Sequence, residues 1–287
     1  MTESPIAQGN FVHNNTTPPP QQSLMGLFSL KGRTAIVTGA GAGIGLAVAQ
    51  GYAEAGANVA IWYNSNQKTV ERAAEIEAKY GVQCKAYQVN IKDSQAVEDA
   101  VNLVVKEFNG RLDIMVANSG IPWTQGPMVD SEPDHYSNVV QTDLDGTFYC
   151  AKAAAAQWRK QKKEGNIQGF RYGSFIATAS MSGHIVNVPQ LQAAYNAAKA
   201  GVIHLCKSLA VEWVQFARAN SVSPGYIATE ISSFVAEETK NIWKDKIPMG
   251  REGEAQELKG AYLYLASDAS SYTTGADILV DGGYTLP

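Results

Sequence analysis

A tyrosine and a lysine four residues apart form the pair of side chains best suited to acid–base chemistry in this sequence. They are Tyr195 and Lys199, in the segment Tyr-Asn-Ala-Ala-Lys. If residues 193–216 form a helix, this spacing puts the phenol and the ammonium on one face, within reach of one ligand. A phenol has an ordinary pKa of about 10, which makes it a poor acid or base near neutrality. Because a neighbouring cation stabilises the phenolate, the pair predicts a tyrosine whose pKa is lowered towards the working range.

The elements that must position this pair are visible as an alternation of short apolar runs and longer amphipathic segments from Leu30 onward. The runs predict strands at 35–37, 58–63, 84–89, 112–117, 174–179, 219–223 and 276–280. The segments predict helices at 43–56, 66–80, 94–108, 134–160, 193–216, 230–246 and 254–266. This order predicts an α/β fold, a Rossmann-like doubly wound parallel sheet with helices on both faces in a single domain.

The beginning of the chain has a different composition from the rest. Residues 1–23 are rich in Asn, Gln, Thr and Pro and lack the apolar period of a helix or strand. We therefore expect residues 1–28 to be a flexible N-terminal tail, although a tail that packs along a neighbouring subunit remains an alternative. Residues 29–287 are expected to form the folded domain, with a small lobe at about 225–251.

Composition and charge exclude several classes of partner. The 287 residues carry a net charge of −4, with 45% hydrophobic and 17% charged residues and no basic block that would attract nucleic acid or an anionic membrane. The three cysteines are Cys84, Cys150 and Cys206; they are widely spaced, which indicates reduced thiols and a cytoplasmic location. The four histidines show no ligand spacing with them, so no metal site is expected. No apolar run approaches the ~18 residues that span a bilayer.

A glycine-rich turn follows the first predicted strand, in the segment Thr38–Gly45. Glycines allow a tight turn and let backbone amides approach a pyrophosphate at the positive end of the next helix. Because the turn lies between a strand and a helix in the first unit of the alternating pattern, it predicts a dinucleotide-binding site.

The end of the second predicted strand indicates which dinucleotide binds. An NAD-specific site typically has an acidic residue there for the ribose 2′-hydroxyl. Here Asn64 and Ser65 follow the strand, Lys68 lies just beyond, and the segment has no carboxylate. Neutral donors and an ammonium suit a 2′-phosphate, so the sequence predicts NADP(H), although Asn64 and Ser65 also suit a simple chain turn.

Together these segments resemble the short-chain dehydrogenase/reductase superfamily over nearly all of residues 30–287. The matching pieces are Thr38–Gly45, Asn118-Ser119-Gly120, Ser180 with Tyr195 and Lys199, Pro224-Gly225, and Val280-Asp281-Gly282-Gly283. The segments 179–187 and 247–251 are most similar to a fungal branch with NADP-dependent mannitol 2-dehydrogenases, sorbose reductases and carbonyl reductases.

The resemblance implies a role for each catalytic residue. Tyr195 would protonate the substrate oxygen during reduction, and Lys199 would hold the nicotinamide ribose and lower the pKa of Tyr195. A serine hydroxyl would hydrogen-bond the carbonyl oxygen, where negative charge develops. Ser180 and Ser182 both fit this role; the serine–two residues–glycine pattern at a strand end favours Ser180 and leaves Ser182 as a substrate contact or a turn residue.

The glycine turn and the resemblance together imply the cofactor contacts. They are Gly39, Gly41, Gly43, Ile44, Gly45, Asn64, Ser65, Asn90, Ile91, Asn118, Gly120, Tyr195, Lys199, Pro224, Gly225, Ile227 and Thr229. Three positions depart from the superfamily pattern: Asp143 stands where Asn is common, Asn90 where Asp is common, and Ser119 where Ala is usual. A carboxylate at position 143 near Lys199 would favour the charged lysine.

The substrate pocket is predicted from aromatic and polar residues near the lobe. The candidates are Trp123, Ser182, His184, Asn187 and Tyr226, whereas Trp62, Trp158, Trp213 and Trp243 are assigned to packing. Such a lining suits a hydroxylated ketone. We therefore expect a reductase that interconverts ketoses and polyols, such as fructose and mannitol. Two alternatives stay open: reduction of small or aromatic ketones and hydroxyketones, and a non-catalytic dinucleotide-binding protein.

The resemblance further implies a homotetramer formed through segments 134–160, 193–216 and 276–284.

Overall fold

Seven parallel strands form the central sheet of the structure, a computed structural model that describes residues 11, 13, 15–230 and 235–287. Its strands are β1 (Thr34–Thr38), β2 (Asn58–Tyr63), β3 (Cys84–Gln88), β4 (Ile114–Ala117), β5 (Gly173–Thr178), β6 (Ala217–Pro224) and β9 (Asp277–Val280). They lie in the order β3-β2-β1-β4-β5-β6-β9, and every neighbouring pair is parallel. Two short strands, β7 (Ile227–Ala228) and β8 (Gly253–Glu254), form a separate parallel pair. The predicted α/β doubly wound fold is therefore confirmed.

Helices cover both faces of this sheet. Their bounds are α1 (Leu24–Leu27), α2 (Gly43–Glu54), α3 (Lys68–Tyr80), α4 (Ser94–Glu107), α5 (Pro133–Val140), α6 (Gly146–Glu164), α7 (Ala193–Glu212), α8 (Glu237–Lys246) and α9 (Lys259–Ala266). Helices α2, α3 and α9 pack on one face, and α4, α6 and α7 pack on the other. Strands covered on both faces, such as β1 and β5, are buried along their whole length, which explains why their sequences show no alternation of apolar and exposed polar residues.

The long helix predicted for 134–160 is interrupted in the structure. Residues Gln141–Asp145 between α5 and α6 form a π-helical turn, in which the amide of Gly146 donates to the carbonyl of Gln141. Such a turn inserts one extra residue into a helix and is common at functional sites. Here it contains Asp143, the departure noted in the sequence.

Several predicted boundaries were wrong by a few residues. The helix predicted for 193–216 ends at Glu212, and the chain re-enters the sheet at Ala217. The helix predicted for 230–246 is described from Glu237, and residues 231–234 of that prediction lie outside the described residues. In the helix predicted for 254–266, residues 255–258 form a 3₁₀ turn that precedes α9.

Part of the predicted N-terminal tail contains a short helix. Helix α1 begins after Ser23, whose hydroxyl accepts a hydrogen bond from the amide of Gly26 (3.1 Å). Upstream, the carbonyl of Thr17 accepts a hydrogen bond from the guanidinium of Arg171 (2.8 Å). The other residues of that prediction at 1–10, 12 and 14 lie outside the described residues.

A glycine at the start of β5 sets how closely helix α6 approaches the sheet. A Cβ at Gly173 would lie 2.0 Å from the Trp158 ring, which is fully buried. We expect Gly173→Ala to lower the free energy of unfolding by about 1–3 kcal/mol, because the indole must move within a packed core. Gly260→Ala in α9 is the matched control, since its Cβ would meet no atom within 4 Å. Urea denaturation measures both, and equal stability of the two variants would contradict this packing constraint.

Candidate active site

A cavity of about 610 Å³ lies at the carboxyl ends of the central strands. The segments that line it follow β1, β2, β3, β4, β5 and β6, and residues of α5, α7 and α8 complete the wall. In a doubly wound sheet the strand order reverses between β1 and β4, and the connections diverge there to opposite faces. This divergence opens a crevice, which is where ligands of such sheets bind.

Glycines shape the end of the cavity next to β1. Gly39 and Gly43 have positive φ angles of 62° and 54°, and a Cβ at Gly41 would lie 2.3 Å from the Thr69 hydroxyl. Helix α2 begins after Ala42 without a side-chain cap and without an acidic residue in its first turn. The positive end of α2 therefore faces the cavity, and its amides suit a pyrophosphate.

Not every glycine of the turn touches the cavity. Gly39, Gly41, Gly43 and Ile44 line it, whereas Gly45 lies behind the turn. A Cβ at Gly45 would lie 2.5 Å from the carbonyl oxygen of Gly39 and 2.6 Å from the amide nitrogen of the Asn118 side chain. Gly45 thus allows the helix and the turn to pack closely.

Asn118 connects three strands at the point where the order reverses. Its amide group donates to the carbonyl of Thr38 (3.0 Å), and its side-chain oxygen accepts from the hydroxyl of Thr178 (3.0 Å). The Thr38 hydroxyl in turn accepts from the backbone amides of Asn118 and Ser119 (2.9 Å each). These bonds hold the ends of β1, β4 and β5 together beside the glycine turn.

The segment after β2 lines the cavity with neutral polar groups. The cavity is lined here by Tyr63, Asn64, Ser65 and Asn66. None of these four residues is Asp or Glu, so this end of β2 presents no carboxylate to the cavity. The predicted Asn90, Ile91, Gly120, Pro224, Gly225, Ile227 and Thr229 line it as well. Lys92, which the sequence analysis did not single out, contributes an ammonium that hydrogen-bonds Asn138 (2.9 Å).

Tyr195 and Lys199 lie on α7 and both line the cavity, as their spacing predicted. The Lys199 ammonium donates to the carbonyl of Thr178 (3.0 Å) and lies 2.9 Å from an oxygen of Asp143. Both ions are buried, with side-chain exposures of 4% and 0%. The other carboxylate oxygen of Asp143 accepts the amide of Ile121 (3.1 Å). A Cβ at Gly120 would lie 2.6 Å from Asp143, so the glycine makes room for the pair.

The electrostatics of the tyrosine differ from the sequence-based prediction. Burial raises the pKa of the Tyr195 phenol above its ordinary value; Lys199 and a hydrogen bond with Ser180 act to lower it, whereas Asp143 acts to raise it. Burial alone would lower the pKa of Lys199, but Asp143 and Tyr195 outweigh it and the pKa is raised. The predicted charged lysine is therefore favoured, while in the free protein the predicted lowering of the Tyr195 pKa was wrong, because burial outweighs the cation.

The two candidate serines have different partners. Ser180 caps the 3₁₀ turn Met181–Gly183 by accepting the amide of Ser182 (3.1 Å), and its hydroxyl is near enough to Tyr195 to act to lower the pKa of the phenol. The hydroxyl of Ser182 instead accepts from the side chain of Gln192 (3.0 Å). Both line the cavity, but Ser180 is the serine that affects the pKa of the Tyr195 phenol.

The structure brings two further predicted substrate residues to the cavity and leaves two outside it. Asn187 and Tyr226 line it, and the Asn187 amide donates to the Tyr226 hydroxyl (3.2 Å). Trp123 is buried in a small cluster where its indole donates to the Gly126 carbonyl (2.8 Å). His184 hydrogen-bonds Asp277 of β9 (2.8 Å), which holds it away from the cavity.

Two residues of the cavity wall were missed or assigned elsewhere. Gln192 donates to Ser182, Asn187 and Asn196, and so connects the loop after β5 to α7. Trp243, predicted as a packing residue, stacks on Tyr226 with ring centroids 3.9 Å apart and an interplanar angle of 7°. Gln192 is three residues before Tyr195 and was detectable by its position. For Trp243 the sequence contains no signal, because α8 is placed against the cavity only by the fold.

The described part of the chain shows neither a metal-ion site nor a membrane-spanning helix. In it, no group of three or more His, Cys, Asp or Glu residues is arranged to hold a metal ion. Among the same residues, no helix is long and apolar enough to cross a membrane. The three cysteines are buried free thiols, and burial raises the pKa of each.

Known proteins resemble the chain over nearly its whole length. The family model described as enoyl-(acyl carrier protein) reductase matches residues 39–285. An L-xylulose reductase of Hypocrea jecorina is 64% identical over 98% of this chain and 100% of that protein. A probable NADP-dependent mannitol dehydrogenase of Yarrowia lipolytica is 56% identical over 94% of this chain and 95% of that protein. The crystal structure of an NADPH-dependent 3-quinuclidinone reductase from Rhodotorula rubra superimposes with a TM-score of 0.88 at 42% identity, covering 95% and 98% of the two chains.

The chain therefore belongs to the short-chain dehydrogenase/reductase family of oxidoreductases. The family match begins at Gly39 in the glycine turn and includes Ser180, Tyr195 and Lys199. The expected membership of this superfamily is confirmed, and the similar relatives include fungal proteins named as mannitol dehydrogenases and sorbose reductases.

The buried ion pair makes a testable contribution to stability. We expect Asp143→Asn to lower the free energy of unfolding by about 3–5 kcal/mol, because it leaves the Lys199 ammonium buried without a counter-ion. In a double-mutant cycle, combining it with Lys199→Met should cost less than the sum of the single changes. Glu237→Gln is the control, since it breaks the exposed pair with Lys244 and should have far less effect. Additive effects of Asp143→Asn and Lys199→Met in urea denaturation would contradict direct pairing.

Proposed function

We propose that the protein is an NADPH-dependent reductase that interconverts ketoses and polyols. The observation that carries this proposal is the contact between Ser180, Tyr195 and Lys199 at one end of a cavity whose other end is the glycine turn. Relatives named for L-xylulose reduction and for mannitol dehydrogenation support the substrate class. The reaction we assign is therefore the reduction of a C=O group in a polyhydroxylated ketone.

The residues of the cavity fit NADPH on two observations. The uncapped first turn of α2 and the glycines before it offer backbone amides to a pyrophosphate. The neutral residues Asn64, Ser65 and Asn66 offer donors to a 2′-phosphate without a repelling carboxylate. When bound, NADPH supplies the hydride. The names of the mannitol dehydrogenase and of the quinuclidinone reductase support NADP(H) over NAD(H).

In the proposed mechanism, Tyr195 donates the proton and Ser180 holds the substrate oxygen. During reduction, negative charge develops on the carbonyl oxygen, and the Ser180 hydroxyl donates a hydrogen bond to it. The raised pKa of Tyr195 keeps the phenol protonated at neutral pH, which is the form that donates to this oxygen. The Lys199 ammonium, held charged by Asp143, stabilises the phenolate that remains. Lys199 also carries the donors for the hydroxyls of the nicotinamide ribose.

The runner-up function is reduction of small or aromatic ketones that carry few hydroxyl groups. The superposition with a 3-quinuclidinone reductase supports it, because that protein has the same fold at 42% identity. The more similar relatives are named for sugars and polyols, which is why we place ketoses first.

We also propose a cytoplasmic homotetramer with a substrate lobe at about 225–251. Buried thiols at all three cysteines support a reducing compartment. Support for assembly comes from large apolar side chains exposed on the segments expected to meet other subunits. These are Tyr136 on α5, Phe148 on α6, Val211 on α7 and Leu279 on β9.

A substrate panel tests the function directly. We expect NADPH consumption with L-xylulose, D-fructose and L-sorbose, followed at 340 nm. Tyr195→Phe should lower kcat by about 10²- to 10⁴-fold because the proton donor is lost, a far larger effect than any change in the Kd for NADPH. Turnover of an aryl hydroxyketone with none of the three sugars would favour the runner-up. A Tyr195→Phe variant as active as wild type on every substrate would remove the proposed acid and favour a binding protein.

Substitution of the two serines distinguishes their roles. Ser180→Ala should lower kcat by about 10²-fold or more, because it removes the donor to the developing negative charge. Ser182→Ala is the matched control two residues away, and its kcat should fall less than tenfold, since its hydroxyl contacts Gln192. Steady-state kinetics with L-xylulose measures both. An equal or larger loss for Ser182→Ala would reverse the assignment.

A further inference from the structure

Buried polar atoms without a hydrogen-bond partner are concentrated at the cavity. The described residues contain four such side-chain atoms: Trp62 Nε1, Asp143 Oδ1, Trp243 Nε1 and Glu252 Oε1. Asp143, Trp243 and Glu252 line the cavity. Asp143 Oδ1 has an ionic partner in Lys199. Among the described residues of the cavity, Trp243 and Glu252 are therefore the two with a buried polar atom that has neither a hydrogen-bond partner nor an ionic partner.

Such atoms are costly in a folded protein. A buried donor or acceptor that is left unpaired costs about 1–3 kcal/mol, so native structures rarely contain one without a reason. The Trp243 side chain is only 2% exposed, so its indole N–H is shielded from bulk solvent. A donor and an acceptor maintained in this state on one cavity wall indicate groups that are paired by a ligand.

Both residues are close to Tyr226, on the side of the cavity where the catalytic serines lie. The Trp243 ring stacks on the Tyr226 ring, and the amide of Gly253, the residue after Glu252, donates to the Tyr226 carbonyl (2.9 Å). Tyr226 is connected through Asn187 and Gln192 to Ser182. Gln192 also hydrogen-bonds Asn196, the neighbour of Tyr195 (3.1 Å). A molecule whose carbonyl contacts Tyr195 can therefore extend along this wall.

Among the described residues, Glu252 has no ion-pair partner. Lys244 on α8 is near enough for Glu252 to affect its pKa, but its ammonium hydrogen-bonds Glu237 (2.9 Å). The Glu252 oxygen remains an acceptor for a neutral donor.

We propose that the Trp243 indole N–H and the Glu252 carboxylate bind hydroxyl groups of a polyhydroxylated ketone, the N–H as donor and the carboxylate as acceptor. Each hydroxyl both donates and accepts, so a chain of hydroxyls satisfies the two atoms, whereas a ketone without hydroxyls leaves the carboxylate unpaired. This assignment rests on the proposed function and identifies the part of the pocket that separates ketoses from plain ketones. The stacked Tyr226 and Trp243 rings form the apolar surface beside these groups.

The test removes each polar atom and keeps the shape. Trp243→Phe preserves an aromatic ring beside Tyr226, and Glu252→Met preserves side-chain length. Each variant is assayed with L-xylulose, with 2,3-butanedione as an activated ketone without hydroxyls, and for its Kd for NADPH. We expect kcat/KM for L-xylulose to fall at least about tenfold, mostly through KM, as one lost hydrogen bond predicts. Turnover of 2,3-butanedione and the Kd for NADPH should stay within about twofold of wild type.

Trp62→Phe is the matched control, because it removes the unpaired buried indole in β2 that does not line the cavity. Its kcat/KM for L-xylulose should not change. If Trp243→Phe and Glu252→Met leave L-xylulose kinetics unchanged, or weaken both substrates and NADPH equally, the assignment is wrong and the proposed function stands. If wild type reduces 2,3-butanedione but no ketose, the proposed function fails and the assignment fails with it.

Discussion

The buried charge of Lys199 is the constraint around which the carboxyl edge of the sheet is arranged. An ammonium removed from water is tolerated only with a counter-ion and good acceptors, and here these come from different parts of the chain. Asp143 supplies the charge from the π-helical turn, and the carbonyl of Thr178 supplies an acceptor from the end of β5. Gly120 after β4 leaves room for both. The lysine can therefore keep its charge only when β4, β5, α7 and the helix break are all in place, which couples the catalytic geometry to the fold.

Burial and the ion pair of Lys199 with Asp143 together set the pKa of Tyr195. Burial is the main cause of the raised pKa of Tyr195, and Asp143 adds to it, so the Lys199 cation alone does not bring that pKa down to neutrality. A protonated phenol with a charged neighbour is suited to give up a proton as negative charge builds on a substrate oxygen, because the phenolate is then stabilised. Asp143 thus helps to keep the phenol protonated, whereas Ser180 acts to lower the pKa of Tyr195.

The sequence predicted what depends on local periodicity and on backbone requirements, and missed what depends on distant packing. The alternation of strands and helices and the glycines at 39, 41 and 43 follow from rules that operate over a few residues, so both were recognised. The π-helical turn was not, because its segment reads as an ordinary helix and is distorted to place Asp143 beside Lys199. His184 was predicted to line the pocket as one of its polar residues, yet Asp277, 93 positions later, binds it from β9.

The two ends of the cavity also differ in how their chemistry is encoded. The glycine end offers backbone amides, and its residues must be small or adopt positive φ angles. Because glycine is the residue that meets both requirements, this end is recognisable directly in the sequence. The end near Tyr226 is lined by side chains from the loop after β5, from α7 and α8, and from Glu252 just before β8, which meet only in the folded protein. Because each of these side chains can change without disturbing the glycine turn or the Lys199 pair, substrate choice can vary while cofactor and mechanism stay fixed. This separation explains how relatives with one fold carry names for xylulose, mannitol and quinuclidinone.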